Sequence, residues 1–178
     1  MEDFCFKKIG EFNTSGFIEK MQTISDEEWH EYEFRQKTWD IHKQTLTIPI
    51  LFNENFGYEP IQCKHYPLFE QEVLKLEQYF KSIYGRGKFI RIILVNLVAG
   101  GKISVHVDGG PGYSSLELGN RHHLPIITND NVIFYIGGEE RNLKVNEVWE
   151  INNQKPHGVF NNSDEDRIHM IADWYVGI

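Results

Sequence analysis

The stretch that decides the fold is FIRIILVNLVAGGKISVHVD, residues 89–108. It contains two runs of β-branched and other apolar residues, 89–98 and 103–107, with the turn signal Gly100-Gly101 between them. Short runs that end at glycine pairs are typical of strands rather than helices. The stretch therefore predicts that antiparallel β-structure begins near Lys88.

The same pattern continues to the end of the chain. Further strand-like runs are His122 to Thr128, Val132 to Ile136, Val148 to Asn152, Gly158 to Phe160 and Arg167 to Val176. Turn residues separate them at Asn129-Asp130-Asn131, at Gly137-Gly138 and from Asn162 to Asp166. Many short strands without intervening helices predict a sandwich or jelly roll over residues 88–178.

Residues 1–87 have a mixed character, and we expect helices and one edge strand there. Ser25 and Glu28 form a capping-box pattern that predicts a helix over about 26–34. Pro67 to Tyr84 has helical apolar spacing and ends at Gly85. Gln44 to Phe52 alternates as a strand, and Pro49 within it indicates an edge or a bulge. We expect 1–178 to form a single domain.

Composition narrows the function classes. The chain has 178 residues, 40% hydrophobic and 25% charged, which is typical of a globular domain. A net charge of -8 argues against nucleic acid as a partner. Two sparse cysteines, Cys5 and Cys63, favour a reducing, cytoplasmic setting. We expect no membrane span, because no apolar run approaches the roughly 20 residues that a span needs, and no signal peptide, because residues 1–10 lack a basic n-region.

His106 and Asp108 are candidate metal ligands. Residues i and i+2 of a strand face the same way, so both side chains can reach one ion. His157, from a distant strand, would complete a set of two histidines and one carboxylate, which is typical of Fe(II) sites with open positions. The His-x-Asp pattern alone is weak, since chance gives about one such pair in this composition.

Arg167 strengthens the metal hypothesis. It follows His157 by ten positions, where the next antiparallel strand would return past the metal. A dicarboxylate that chelates iron needs a cation for its remote carboxylate, and arginine offers a planar fork. The alternative is an ion pair with Asp164 or Asp166, the usual arrangement near a turn.

Six blocks together carry a resemblance to a known family. They are Ile103 to Asp108, Arg121 to Ile126, Gly138-Glu139, Val148 to Asn153, His157 to Asn161, and Asp166 to His169. In this order they resemble the aspartyl/asparaginyl β-hydroxylase family over roughly residues 90–175. The resemblance implies a double-stranded β-helix, a cupin-like jelly roll with the N-terminal helices packed on it.

The resemblance also implies site residues and a reaction. His106 and His157 would bind Fe(II), Arg167 one carboxylate of 2-oxoglutarate, and Arg121 with His123 its metal-proximal end. Some members of the family lack the carboxylate ligand, so the resemblance leaves the role of Asp108 as third ligand open. The reaction would hydroxylate an aspartyl or asparaginyl residue of a protein, or a free amino acid, with O2 as oxidant and release of succinate and CO2. Two alternatives stay open: a cupin-like metal protein that does not use 2-oxoglutarate, and a non-catalytic binding module.

Several further residues are expected to have structural roles, and a few could also contribute to the site. His122 points away from Arg121 and His123, and we leave it out of the site. Trp149, Trp174, Asn152-Asn153 and Asn161 are expected to pack the core or form turns, although Asn161 could support the metal site. His42 and Thr45 could face the site, and Gly109 to Asn120 is either a substrate lid or a long hairpin connection.

Overall fold

Two antiparallel sheets face each other in the computed structural model, which describes residues 3–109 and 119–177. The strands are β1 (Phe6–Glu11), β2 (Thr45–Leu51), β3 (Lys88–Leu97), β4 (Lys102–His106), β5 (Asn120–Ile127), β6 (Val132–Ile136), β7 (Glu139–Arg141), β8 (Glu147–Ile151), β9 (His157–Asn161) and β10 (Arg167–Tyr175). The large sheet has the order β1-β8-β5-β10-β3-β2 and the small one β4-β9-β6-β7. The mainly β jelly-roll prediction is confirmed.

Helices lie on both sides of the large sheet. α1 (Ser15–Met21), α2 (Asp26–Glu31) and the long α4 (Tyr66–Tyr84) pack on its outer face, whereas α3 (Phe34–Thr38) and a 3₁₀ turn at Asp40–His42 lie on the inner side. The capping box at Ser25 and Glu28 is present, but α2 ends at Glu31 because Tyr32 is extended. None of the helices in the described ranges has the length and apolar character to cross a membrane.

Helix α4 forms as the sequence predicts. It has a proline in its first turn and ends at Gly85, whose φ of 74° is a conformation that glycine adopts without strain. Its buried apolar residues, Phe69, Val73, Leu76 and Phe80, recur at helical spacing and pack on the large sheet. This packing fixes the sheet from its outer side.

The central strands of the large sheet bury both faces, and the two faces differ. On β3, Ile92 and Leu94 join the core under the helices, whereas Ile93 and Val95 pack in a separate inner cluster. The alternation follows from the two-residue period of a strand. It directs Arg91 to the inner side, where it lines a cavity.

Two features of the topology differ from the sequence-based predictions. β1 was not predicted, because it is a polar edge strand in which only Phe6 is buried, so it lacks an alternating apolar signal. Arg167 lies on the next strand of the chain after His157, as expected, but that strand belongs to the other sheet. β9 pairs with β4 and β6, while β10 pairs with β3 and β5, because the turn at 162–166 leads the chain from one sheet to the other.

The predicted edge position of β2 is confirmed. β2 is the last strand of the large sheet, and its register with β3 shifts between Pro49 and Leu51. Proline is tolerated there because it lacks the amide that a continuous ladder would need. Cys5 and Cys63 are both free thiols.

Candidate active site

Three side chains converge where β4 and β9 end. His106 lies opposite His157 in the register of the two strands, and Asp108 follows just past the end of β4. The Nε2 atom of His106 lies 3.4 Å from Asp108 Oδ1, and that of His157 lies 3.8 Å from Asp108 Oδ2. Their ligand atoms all lie within 4.8 Å of one another. The structure brings together the three residues that the sequence singles out.

The hydrogen bonds of the two histidines orient them for metal binding. Nδ1 of His106 lies 2.7 Å from the Ser104 carbonyl oxygen, and Nδ1 of His157 lies 2.9 Å from that of Lys155. Because a carbonyl only accepts, both Nδ1 atoms carry the proton and both Nε2 lone pairs face inward. Burial, with a smaller effect of His106, lowers the pKa of His157 to about 3, which keeps its ring neutral. This donor set fits Fe(II).

Asp108 is held by two further side chains. Arg121 donates through Nη1 to Oδ2 of Asp108, and Asn153 Nδ2 lies 3.4 Å from the same oxygen. We interpreted Asn153 from the sequence as part of a turn only. Its buried side chain nevertheless contacts the carboxylate. These two contacts orient the Asp108 carboxylate.

Arg121 belongs to a buried network of charges on the inner face of the large sheet. Its Nε donates to Asp173 Oδ1 at 2.9 Å, and Arg91 Nη2 lies 2.7 Å from Asp173 Oδ2 in an ion pair that is not an aligned hydrogen bond. In the register of the sheet, Asp173 lies opposite Arg91 on β3 and opposite Arg121 on β5. The sequence signal for this network is the presence of Arg91 and Asp173 inside runs of apolar residues.

Arg167 is buried without a carboxylate partner among the residues that the structure describes. It is 1% exposed, its Nη2 contacts Nδ1 of His169, and its Nε lacks a hydrogen bond. Burial lowers its pKa to about 9, so it is still a cation at neutral pH. The alternative ion pair with Asp166 is not formed, because that carboxylate accepts from Asn96 and from the Ala99 amide. An unpaired buried cation fits an anionic ligand.

His123 lies between the metal ligands and Arg167. Its ring centroid is 4.8 Å from that of Phe134 and 5.8 Å from that of His169. Its Nδ1 is buried without a hydrogen bond, and burial holds its pKa well below the usual range. A neutral ring with an unsatisfied nitrogen can accept or donate one hydrogen bond to a bound ligand.

A cavity of about 350 Å³ opens beside the three candidate ligands. Its N-terminal wall consists of Arg35, Trp39, Ile41, His42, Phe52 and Phe56. Its other wall includes the candidate ligands together with Arg91, Arg121, His123 and Phe134. His42 therefore faces the site as suggested, with its ring centroid 6.1 Å from that of His106. Thr45 does not line the cavity, and its hydroxyl donates to the His42 carbonyl.

The residues interpreted as scaffold mostly have that role. Asn161 donates to the carbonyls of Leu97, Val98 and Glu165, so it holds a turn rather than a ligand. Trp174 is fully buried under α4, and His122 points to that same side, where Tyr84 contacts its ring. The lid hypothesis concerns Gly109 to Asn120, of which residues 110–118 lie outside the described residues.

Comparison with known families gives a match over nearly the whole chain. The model of the family described as aspartyl/asparaginyl beta-hydroxylase matches residues 10–176. No curated protein matches the chain.

Solved structures with a similar fold have low sequence identity. An oxidoreductase of the 2OG-Fe(II) oxygenase family from Burkholderia pseudomallei has 14% identity and a TM-score of 0.59 over 74% of this chain and 66% of that one. A prolyl-4-hydroxylase from Pseudomonas putida has 11% identity and a TM-score of 0.56 over 97% and 93%. The viral collagen prolyl hydroxylase of Paramecium bursaria Chlorella virus-1 has 8% identity and a TM-score of 0.59, over 97% of this chain and 96% of that one. At these identities the likeness concerns the fold.

Proposed function

The chain belongs to the aspartyl/asparaginyl β-hydroxylase family, a family of 2-oxoglutarate-dependent hydroxylases, and we propose that it hydroxylates an aspartyl- or asparaginyl-type residue or a free amino acid. The proposed products from 2-oxoglutarate and O2 are succinate and CO2. One oxygen atom of O2 enters the substrate and the other enters succinate, so the reaction balances without an external reductant. We further propose that residues 1–178 act as one oxygenase domain.

The observation that carries this proposal is the pairing of two features. Three metal donors line the cavity, and Arg167, a buried cation without a carboxylate partner among the described residues, lies behind the Phe134 ring of the same cavity. His106 and His157 would hold iron through Nε2 and Asp108 through its carboxylate. Bound iron would supply the oxidising chemistry that cleaves an unactivated C–H bond.

The protein's own part begins with binding the co-substrate. Arg167 would pair with the remote carboxylate of 2-oxoglutarate, and the charge-assisted contact would be strong because the site is buried. His123 would hydrogen-bond the metal-proximal end. Arg121 uses three of its five N–H groups on Asp108 and Asp173, which leaves two for the same end of the ligand.

The second task of the protein is to keep water away from the reacting atoms. Trp39, Phe52 and Phe56 form an apolar wall on one side of the cavity. Excluding water strengthens each charged contact inside the site and limits side reactions. The neutral rings of His106 and His157 also retain their lone pairs for a metal at neutral pH, since burial lowers the pKa of each.

The test is to add Fe(II) and 2-oxoglutarate to the metal-free protein. In the absence of air, we expect a visible charge-transfer absorption band from the chelated iron. In air, we expect succinate to form and the mass of the hydroxylated amino acid or peptide to increase by about 16 Da, the mass of one oxygen atom. His157→Ala should remove the absorption and lower turnover by about a thousandfold or more. His30→Ala is the matched control, because His30 is an exposed residue of α2 that does not line the cavity.

The alternatives give other results. Iron binding without the absorption band or succinate would favour a cupin-like metal protein that does not use 2-oxoglutarate. Absence of iron binding would favour a non-catalytic binding module. Either result would overturn the proposed function.

A further inference from the structure

Arg35 is a buried cation that the proposed reaction does not yet use. It lies on α3, is 7% exposed and lines the cavity. Its Nη1 donates to Thr47 Oγ1 at 3.3 Å, and its Nη2 lies 3.1 Å from His42 Nε2. Among residues 3–109 and 119–177, no carboxylate forms an ion pair with it. Its protein contacts are therefore with neutral groups.

The surroundings of Arg35 have an excess of positive charge. Arg91 and Arg121 also line the cavity, and the carboxylates that they contact are Asp173 and Asp108. Burial first, and then the charges of Arg91 and Arg121, lower the pKa of Arg35 to about 9, so it remains charged at neutral pH. Burying an unpaired ion is unfavourable because the ion loses its hydration without gaining a partner of opposite charge. An anion in the cavity would remove that penalty.

The proposed function assigns both carboxylates of the co-substrate to groups other than Arg35. Arg167 lies behind the cavity wall, where its guanidinium is 6.0 Å from the ring centroid of Phe134, a lining residue, and contacts His169. 2-Oxoglutarate has two carboxylates, of which iron and Arg167 would hold one each. Arg35 is placed on the N-terminal wall with Trp39 and His42, and it remains available for a second molecule.

We propose that Arg35 binds a carboxylate of the substrate that is hydroxylated. This inference rests on the proposed function and adds a substrate class to it: a small molecule or side chain with a carboxylate at one end and an apolar body. His42 contacts Arg35 on one side and lies beside His106 on the other. A substrate that is bound at Arg35 would pass His42 and present carbon atoms to the iron ligands, with its body against Trp39 and Phe56.

The experiment measures hydroxylation of the twenty proteinogenic L-amino acids and of their carboxamides by the iron-loaded wild-type enzyme. We expect at least one acid to be hydroxylated and its carboxamide to have a KM about 30- to 100-fold higher, because a charge-assisted paired contact is lost. Short peptides with aspartate or asparagine distinguish a side-chain carboxylate from an α-carboxylate. Preference for the aspartyl peptide over both the asparaginyl peptide and the free acids would support the side-chain form.

Variants separate a binding role from a structural one. Arg35→Met should raise the KM of the preferred acid about 30- to 100-fold, but that of 2-oxoglutarate by less than about threefold. Arg35→Lys keeps the charge and should give an intermediate KM. Arg86→Met is the matched control, since Arg86 is exposed and outside the cavity. If the Arg35 variants do not fold, the comparison of each acid with its carboxamide on the wild-type enzyme still tests whether the site binds a substrate carboxylate.

Two results would overturn the role of Arg35 without touching the proposed function. One is succinate formation with equal use of acids and carboxamides. The other is succinate formation together with two negative results: none of the acids or aspartyl peptides is hydroxylated, and none of them raises the melting temperature of the protein. Absence of succinate altogether would instead count against the oxygenase assignment, on which the inference depends.

Discussion

The two faces of the large sheet share the same strands and differ in almost every physical respect. The face toward the helices is built from apolar side chains, among them Ile92, Leu94, Met170, Ala172 and Trp174. The inner face presents Arg91, Arg121, Asp173 and Arg167 from those strands and the adjacent β5. A shift of one residue in register would exchange the two faces.

The difference shows how the chain divides stability from function. Apolar burial on the helix side stabilises the fold with no specific geometry beyond close packing. The inner side holds several cations that burial destabilises, and among the residues that the structure describes their carboxylate partners are Asp173 and Asp108 alone. Such unbalanced charge is typical of ligand sites rather than of structural cores. Substitutions on the two faces should therefore affect different measurements.

The largest effect on stability is expected on the helix side, from Leu94→Ala. Leu94 is fully buried, and its truncation should lower the free energy of unfolding by about 3 kcal/mol through lost burial and the cavity left behind. The KM for 2-oxoglutarate should stay within about twofold at temperatures where the variant is folded. Denaturant titration and steady-state kinetics measure the two quantities. Leu74→Ala, at an exposed position of α4, is the control.

A change in KM without a change in stability for Leu94→Ala would contradict the division between the faces. It would mean that packing under the helices positions the site directly. Comparable destabilisation by Leu74→Ala would show that the effect arises from leucine content in general rather than from burial.

The converse prediction concerns Arg167→Met on the inner face. Loss of the guanidinium should raise the KM for 2-oxoglutarate by about 30- to 100-fold, equivalent to about 2 to 3 kcal/mol. The free energy of unfolding without ligand should stay unchanged or rise by about 1 kcal/mol, because an unpaired buried cation is removed. Arg167→Lys tests the fork geometry and should retain only part of the affinity. A strongly destabilised Arg167→Met protein with normal KM would assign the residue to the core instead.

The same contrast explains what the sequence could predict. Periodicity located β2, α4 and the strands after residue 88 other than β7, because apolar alternation and turn residues are local signals. The three residues of β7 are all polar and exposed, so they carry no such signal. His106, Asp108 and His157 were predicted as ligands because their residue types suit Fe(II) and because the blocks around them follow each other in the order of a known family. Their proximity depended on pairing between β4 and β9, and their role in binding iron stays a prediction.

The missed residues depend on long-range register. Arg91 and Asp173 each interrupt an apolar strand, yet only the pairing of β3 with β10 shows that they face one another. Arg35 comes from a five-residue helix in the N-terminal region, where local signals are weak. Asn153 was interpreted as a turn residue, because asparagine is common in turns and nothing in the local sequence indicates that its side-chain amide contacts Asp108. Sequence patterns do not show which polar side chains from different strands lie next to each other.

The smallest predicted effect concerns His122, the one titratable imidazole of β5 on the helix side. Its Nδ1 donates to the Ala172 carbonyl at 3.3 Å, and Nε2 lies 2.6 Å from the Tyr84 hydroxyl. Burial lowers its pKa to about 4, whereas an unfolded histidine titrates near its usual value of 6.5. The unfolded chain therefore binds a proton first as the pH falls. The stability that His122 contributes is complete above about pH 6.5 and is lost as the pH falls toward about 4.

In the His122→Gln variant, unfolding should take up one proton fewer at acidic pH than in the wild-type protein. Between about pH 6.5 and 4, the slope of unfolding free energy against pH should decrease by up to about 1.4 kcal/mol per pH unit. Buried inner-face histidines such as His123 and His169 also have lowered pKa values, so the slope should decrease without vanishing. Denaturant titrations at several pH values measure it. An unchanged slope would mean that the acid sensitivity arises on the inner face alone, and that the helix-facing side is as insensitive to charge as its apolar composition suggests.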